Sequence, residues 1–206
     1  MTDRRRLCGP DAPLAVARKR LVEQARAAAA AGVDLIQVRE RDLEAAALAS
    51  IVVELVDALR STSARVVVND RLDVALACGA AGVHLRADSI PPASARSIAP
   101  DGFLVGRSVH SAAEARAVSE SVDYLIAGTV FATPSKPPDH ALLGVSGLAA
   151  IARAVPVPVL AIGGVTVEQF DRLAGAGAAG FAAIGLFLQE AGPAVRAWFD
   201  AAGSAS

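Results

Sequence analysis

Three stretches of this chain combine residue types that suit a phosphate or pyrophosphate. The first is Gly128-Thr129-Val130-Phe131-Ala132-Thr133-Pro134-Ser135-Lys136, directly after the apolar run Asp123-Tyr124-Leu125-Ile126-Ala127. Two hydroxyls and an ammonium, from Thr133, Ser135 and Lys136, are donors that anionic oxygens need. The second is Val159-Leu160-Ala161-Ile162, which ends in Gly163-Gly164, where bare backbone lets N–H groups approach an anion. The third is Gln37-x-Arg39-x-Arg41, whose alternation on a strand points three polar side chains the same way. Polar groups facing one side of a core strand need a partner, and a polyanion would supply it. Ion pairing with Glu40 or Asp42 is the structural alternative. Asn69-Asp70, after Val66-Val67-Val68, offers oxygen ligands of the kind Mg²⁺ takes together with substrate phosphates. A turn in which Asp70 caps the helix from Arg71 is an equal alternative, and both readings can hold.

Such groups must be held by a scaffold, and the composition allows a large one. The 206 residues are 53% hydrophobic, enough for a sizeable core, and only 4% aromatic, so Ala and Val carry the packing. That composition suits helices on buried strands. A net charge of -1 gives no single-sign field and argues against nucleic acid or a membrane surface as partner. Arg4-Arg5-Arg6 reads as a solvated start. Cys8 and Cys78 make no disulfide framework and no metal-ligand spacing, which fits a reduced, cytoplasmic setting. No signal core and no run of membrane-spanning length is expected.

The apolar pattern predicts alternating elements. Arg6-Leu7-Cys8 is a first strand, and Leu14 to Ala31 a helix stopped by Gly32. The strands Val33–Arg39, Arg65–Asn69, Gly82–Leu85, Phe103–Gly106, Asp123–Ala127, Val157–Ile162 and Gly180–Ile184 follow. Between them lie helices over Leu43–Leu59, Leu72–Cys78, Pro92–Ile98, Ala112–Ser119, Ser146–Ala154 and Val167–Ala174. Ala191 to Ala201 closes the chain, with Trp198 and Phe199 as anchors. Strand–helix repeated eight times at about 25 residues per unit, with short Val/Ile/Leu-rich strands that do not alternate, predicts one (β/α)₈ TIM barrel over residues 1–206. A doubly wound open sheet is disfavoured because no Gly-x-Gly-x-x-Gly follows the first strand. Phrases such as Gly79-Ala80-Ala81-Gly82-Val83 and Gly177-Ala178-Ala179-Gly180-Phe181 recur where a helix ends and a strand begins, marking the repeating unit.

In such a barrel the chemistry sits at the C-terminal ends of the strands. The polar residues there are Gln37, Arg39 and Arg41; Asn69, Asp70 and Arg71; His84, Arg86 and Asp88; Ser108 and His110; Thr129, Thr133, Ser135 and Lys136; Gly163 and Gly164; and Gly185. His84, inside a strand, reads as a satisfied core histidine, and His110, at a helix start, as structural. His140 lies in the polar loop, and no two histidines have ligand spacing.

Six phrases in order resemble the thiamine phosphate synthase superfamily, which includes the thiazole tautomerases. They are Gln37-Val38-Arg39-Glu40-Arg41, Asn69-Asp70, Gly82-Val83-His84-Leu85, Gly106-Arg107-Ser108-Val109-His110, Gly128 to Lys136, and Ala161-Ile162-Gly163-Gly164-Val165. Each is weak alone, and together they are specific. The resemblance implies a (β/α)₈ fold, Mg²⁺, and joining of hydroxymethylpyrimidine pyrophosphate to thiazole phosphate with release of pyrophosphate. It implies that Arg39 and Arg41, with Gln37, Asn69 and Lys136, hold the pyrophosphate. Ser108 lies near the leaving group, so Arg39, Lys136 and Ser108 are the catalytic candidates. The resemblance also implies that Asp70 binds Mg²⁺, with Asp88 a second candidate ligand. It implies that Thr133, Ser135, Gly163, Gly164, Ile184 and Gly185 hold the thiazole phosphate.

The chain departs from the synthase pattern at Arg41, where Lys is usual, and at Ser89, where an acid is usual and Asp88 falls one residue early. Tautomerases, which need no metal, commonly have His at the position of Thr129, and Thr is a poor proton shuttle. A phosphate-ligand-binding protein on the same scaffold would keep Thr133, Ser135 and Gly164 and need neither Asp70 nor Lys136. The ligands expected in every case are small phosphorylated molecules, and a homo-oligomer is left open.

Overall fold

The computed structural model describes residues 1–188 together with 196 and 197. The expected closing helix Ala191 to Ala201, with its anchors Trp198 and Phe199, lies outside the described residues apart from Arg196 and Ala197. Seven parallel strands succeed one another in chain order: β1 Leu35–Val38, β2 Arg65–Asn69, β3 Gly82–Leu85, β4 Leu104–Val109, β5 Tyr124–Gly128, β6 Val159–Ile162 and β7 Gly180–Ala182. This is an α/β fold. The eighth strand of the sequence reading is not among the described residues: Arg6-Leu7-Cys8 lies in a helix, α1 Arg4–Cys8. The reason is local. The Asp3 carboxylate accepts a hydrogen bond from the Arg6 amide at 3.0 Å, capping the turn, and Gly9 at φ 94° ends it.

By contact the chain forms two compact units, Met1–Gly82 with the chain from Ile184, and Val83–Ala183. In the first, α2 Leu14–Ala30 and α3 Ala45–Leu59 pack on each other, and α3 and α4 Leu72–Ala77 cover β2. The buried face of α3 is Leu48, Ile51, Val52, Leu55 and Leu59, the three-and-four spacing that puts side chains on one helical stripe. Strands β1 and β2 pair from Leu35↔Arg65 to Val38↔Val68.

In the second unit β4 to β7 pair in register, through Ser108↔Ile126, Ile126↔Leu160 and Leu160↔Gly180. Parallel partners share a face of the sheet. One face carries Val109, Leu125, Ala127, Val159 and Ala161, all at most 2% exposed. Helix α7 Gly144–Ala154 packs on β5 and β6 and buries Leu148 and Ile151. The other face carries Ser108, Leu160 and Ile162, which are half-buried. Helices α5 Pro92–Arg96 and α6 Ala112–Val118 pack on β4, and α8 Phe170–Gly175 packs on β7. Phe170 of α8 stacks on Phe181 with ring centroids 4.4 Å apart. No described helix is long and apolar enough to cross a membrane.

Candidate functional site

The first unit places Gln37 and Arg39 at the end of β1. Thr2 lies alongside: its amide donates to the Gln37 carbonyl at 2.8 Å, and its hydroxyl accepts from the Arg39 amide at 2.9 Å. Gln37 is 3% exposed, yet neither its amide oxygen nor its amide nitrogen has a hydrogen-bond partner among the described residues. A buried primary amide in that state carries a desolvation penalty of about 1–3 kcal/mol, which a ligand's polar groups would relieve.

The acids beside it are already engaged. Glu40, 5% exposed, accepts from the Arg4 amide at 3.1 Å and from the Arg4 guanidinium at 3.0 Å. The same guanidinium forks onto Asp42 at 2.6 and 2.7 Å. Arg4 therefore is not part of a solvated start. It binds both carboxylates that the sequence offered as partners for the arginines of β1. The charge pattern held a clue to this, two acids spaced Glu40-x-Asp42 with a run of arginines elsewhere, but sequence alone does not say which cation reaches them. Arg41 itself is exposed. The hydrogen bond from Arg4 holds the Asp42 carboxyl down at about 2.

At the end of β2, Asn69 is buried and Asp70 adopts φ 64°, the left-handed region that Asp tolerates better than most side chains. The Arg71 amide donates back to the Asn69 carbonyl at 2.8 Å, closing a tight turn. Helix α4 is N-capped at Arg71, whose own side chain makes no cap hydrogen bond. The Arg71 guanidinium forks onto Asp73 at 2.9 and 2.6 Å. Ile184 and Gly185 begin a 3₁₀ turn, Gly185–Phe187, anchored where the Gln24 side chain donates to the Phe187 carbonyl at 2.8 Å.

In the second unit His84 on β3 is 2% exposed and its Nε2 lies 2.9 Å from the Ser108 hydroxyl on β4. Its ring lies against Tyr124 with centroids 5.6 Å apart, and burial pushes the Tyr124 phenol well above its usual range. Gly106 makes room for that ring, since a Cβ there would sit 2.2 Å from Tyr124 Cζ. The loop after β3 is fixed twice. Arg86 forks onto Asp88 at 2.9 and 2.6 Å, and Arg107 donates to the Ile90 and Ala87 carbonyls at 2.7 and 2.8 Å. His110 Nδ1 lies 2.6 Å from the Gly128 carbonyl; a carbonyl only accepts, so Nδ1 carries the proton.

The chain beyond β5 is stitched to the end of β6. Val130 and Phe131 amides donate to the Ile162 and Gly163 carbonyls at 2.8 and 3.0 Å. Gly163 (φ 101°) and Gly164 (φ 61°) are glycine for two reasons. Their backbones are left-handed, and a Cβ would sit 2.4 Å from Thr129 Cγ2 or 2.3 Å from the Ala132 carbonyl oxygen. Close approach of this loop therefore accounts for the Gly-Gly pair independently of any anion. Thr133 and Ser135 hydroxyls lie 3.1 Å apart and the Lys136 amide donates to the Thr133 carbonyl at 3.1 Å, so the three polar residues share one turn. Ser135 and Lys136 are exposed, and among the described residues the Lys136 ammonium makes no ion pair. Thr129 is buried. No cluster of three His, Cys, Asp or Glu suited to a metal occurs among the described residues.

Comparison with known proteins places these residues in a family. The sequence profile described as thiamine monophosphate synthase matches residues 10–187. The thiamine-phosphate synthase of Methanoculleus marisnigri is 44% identical over 167 residues, covering 81% of this chain and 79% of its own. That of Methanoregula boonei is 45% identical over 163 residues, covering 79% and 76%. Among solved structures, the thiamine phosphate pyrophosphorylase from Pyrococcus furiosus superposes with a TM-score of 0.77 at 34% identity, covering 86% of this chain and 88% of that one. A 3-hexulose-6-phosphate synthase at 21% identity and TM-score 0.70 shares the fold alone. With a profile match over most of its length and relatives this similar, the chain belongs to the thiamine monophosphate synthase family.

Proposed function

We propose that this enzyme of thiamine biosynthesis joins hydroxymethylpyrimidine pyrophosphate to thiazole phosphate and releases pyrophosphate. One observation carries the reading: 44% identity, across about four-fifths of both chains, with an enzyme named for this activity. The geometry supports it within each unit. Gln37, with its buried amide unsatisfied, stands with Arg39, Arg41 and Asn69 as the group for the pyrophosphate of the pyrimidine substrate. Thr133 and Ser135, with the Gly163-Gly164 backbone, take the phosphate of the thiazole. Lys136 and Ser108 meet the departing pyrophosphate. As the bond from the pyrimidine methylene to the pyrophosphate oxygen breaks, positive charge develops on the carbon and negative charge on the leaving oxygens. Preorganised cations and donors stabilise the second.

Mg²⁺ fits Asp70. The carboxylate directly follows the strand, on a residue held in a left-handed turn. One carboxylate with substrate phosphates is an ordinary Mg²⁺ ligand set, and the bound ion would draw off charge from the leaving pyrophosphate. Asp88, forked by Arg86, is the weaker ligand. We further propose that the seven parallel strands belong to a (β/α)₈ barrel and that the protein works in the cytoplasm, where the free thiols of Cys8 and Cys78 stay reduced. The test is turnover by purified protein given both precursors and Mg²⁺, with thiamine phosphate as the expected product. If none forms, and the protein instead aromatises the thiazole carboxylate phosphate in EDTA, it is a tautomerase despite Thr129.

A further inference from the structure

The pairing of His84 with Ser108 has a chemical consequence that follows from the inventory of each group. A serine hydroxyl has one proton and two lone pairs, and an imidazole Nε2 either donates or accepts. If Nε2 accepts, the Ser108 proton points at His84, and the oxygen turns only lone pairs to an approaching anion. If Nε2–H donates, one Ser108 lone pair is occupied and its proton is released toward the substrate. The ring cannot swing away to avoid this choice. It is 2% exposed, lies against Tyr124, and Tyr124 in turn occupies the space left by Gly106. Ser108, by contrast, is half-buried on the face of the sheet opposite the α7 packing, where a ligand can reach it.

We infer that His84 is a positioning residue that donates through Nε2–H to Ser108 Oγ and so commits the Ser108 hydroxyl to donate to a pyrophosphate oxygen. The inference rests on the synthase reading and adds to it a residue that acts only through Ser108. Gly106 and Tyr124 serve the same end by fixing the imidazole plane.

A double-mutant cycle tests it. His84→Leu keeps an apolar filler against Tyr124 but removes the donor, and should lower kcat/KM by about tenfold, the scale of one directed hydrogen bond. His84→Gln, whose amide nitrogen falls near the Nε2 position, should restore most of that loss. In a Ser108→Ala background, His84→Leu should have almost no further effect, whereas a merely structural role would reduce activity equally in both backgrounds. Should His84→Leu fail to fold, ¹⁵N NMR of the native protein decides the question. With inorganic pyrophosphate bound, the His84 ring should carry its proton on Nε2, and a neutral ring protonated on Nδ1 alone overturns the proposal. Additive effects in the cycle overturn it as well. The two readings fail separately, because native protein that makes no thiamine phosphate refutes the synthase reading, whereas native turnover with additive mutants refutes only the role of His84.

Discussion

Arg4 shows how one side chain can set the state of two acids. Its guanidinium lies against the buried Glu40 and forks onto the half-exposed Asp42. Hydrogen bonding to Arg4 depresses the Asp42 pKa to about 2, with burial opposing. A carboxyl depressed in the folded state contributes stability that is fully present above its unfolded value, about 3.9, and is lost as pH falls toward 2. Unfolding followed by denaturant between pH 5 and 2 should therefore show a loss that Asp42→Asn largely removes; identical acid sensitivity in that variant would separate the pair from acid stability. At the other functional turn, Asp70→Ala should reduce Mg²⁺-dependent turnover by at least about tenfold, equal to ~1.4 kcal/mol in the barrier. Lys136→Ala should lose as much, because the departing pyrophosphate loses a cation. Steady-state rates at saturating Mg²⁺ check both, and unchanged rates remove Asp70 and Lys136 from the mechanism.

Elements explain what was legible in the sequence. Strand β2 at Arg65–Asn69 has the expected limits because the continuous Val66-Val67-Val68 run marks a strand buried on both sides, and β3 at Gly82–Leu85 also has the expected limits. Helix α3 follows from its three-and-four spacing, and truncating its centre should be expensive: Leu55, 0% exposed, changed to Ala should lower stability by about 2–5 kcal/mol in urea unfolding. The first strand was misread because Arg6-Leu7-Cys8 is too short for periodicity to decide, and the Asp3 cap settled the matter for helix. Gln37, Asn69, Ser108 and Thr133 were legible as polar residues at strand ends. The Arg4 pairing, the Arg107 tether and the His84–Ser108 contact were not, since each joins residues distant in sequence whose types alone do not specify a partner. In the loop after β5, the double change Thr133→Ala with Ser135→Ala should weaken binding of thiazole phosphate in calorimetry, and unaltered affinity would move the phosphate elsewhere.

For the molecule as a whole, a net charge of -1 means that anionic substrates are drawn in by local groups and not by a general positive field. Binding of those substrates only to the folded state should raise stability by mass action, by about 2.7 kcal/mol at a hundred times the dissociation constant. Thermal melts with thiazole phosphate and with pyrophosphate plus Mg²⁺ should both move upward, and Asp70→Ala should blunt only the second shift. The repeat of strand and helix was the most readable property of the chain, because it is written in composition and spacing throughout. The seven described strands lie in one parallel sheet in chain order.

The stitching of the Thr129–Ala132 backbone to the end of β6 constrains how this sequence can diverge. Any side chain at Gly163 or Gly164 collides with the loop that carries Thr133 and Ser135, and any reshaping of that loop breaks hydrogen bonds to Ile162 and Gly163. The two segments, some thirty residues apart in the chain, therefore form one heritable piece. Across descendants of this gene, a change at either glycine should survive only alongside a rebuilt segment at 129–132, whereas exposed positions such as Pro137 to Asp139 are free to drift in ones and twos. Selection thus acts on the pair of loops as a single trait.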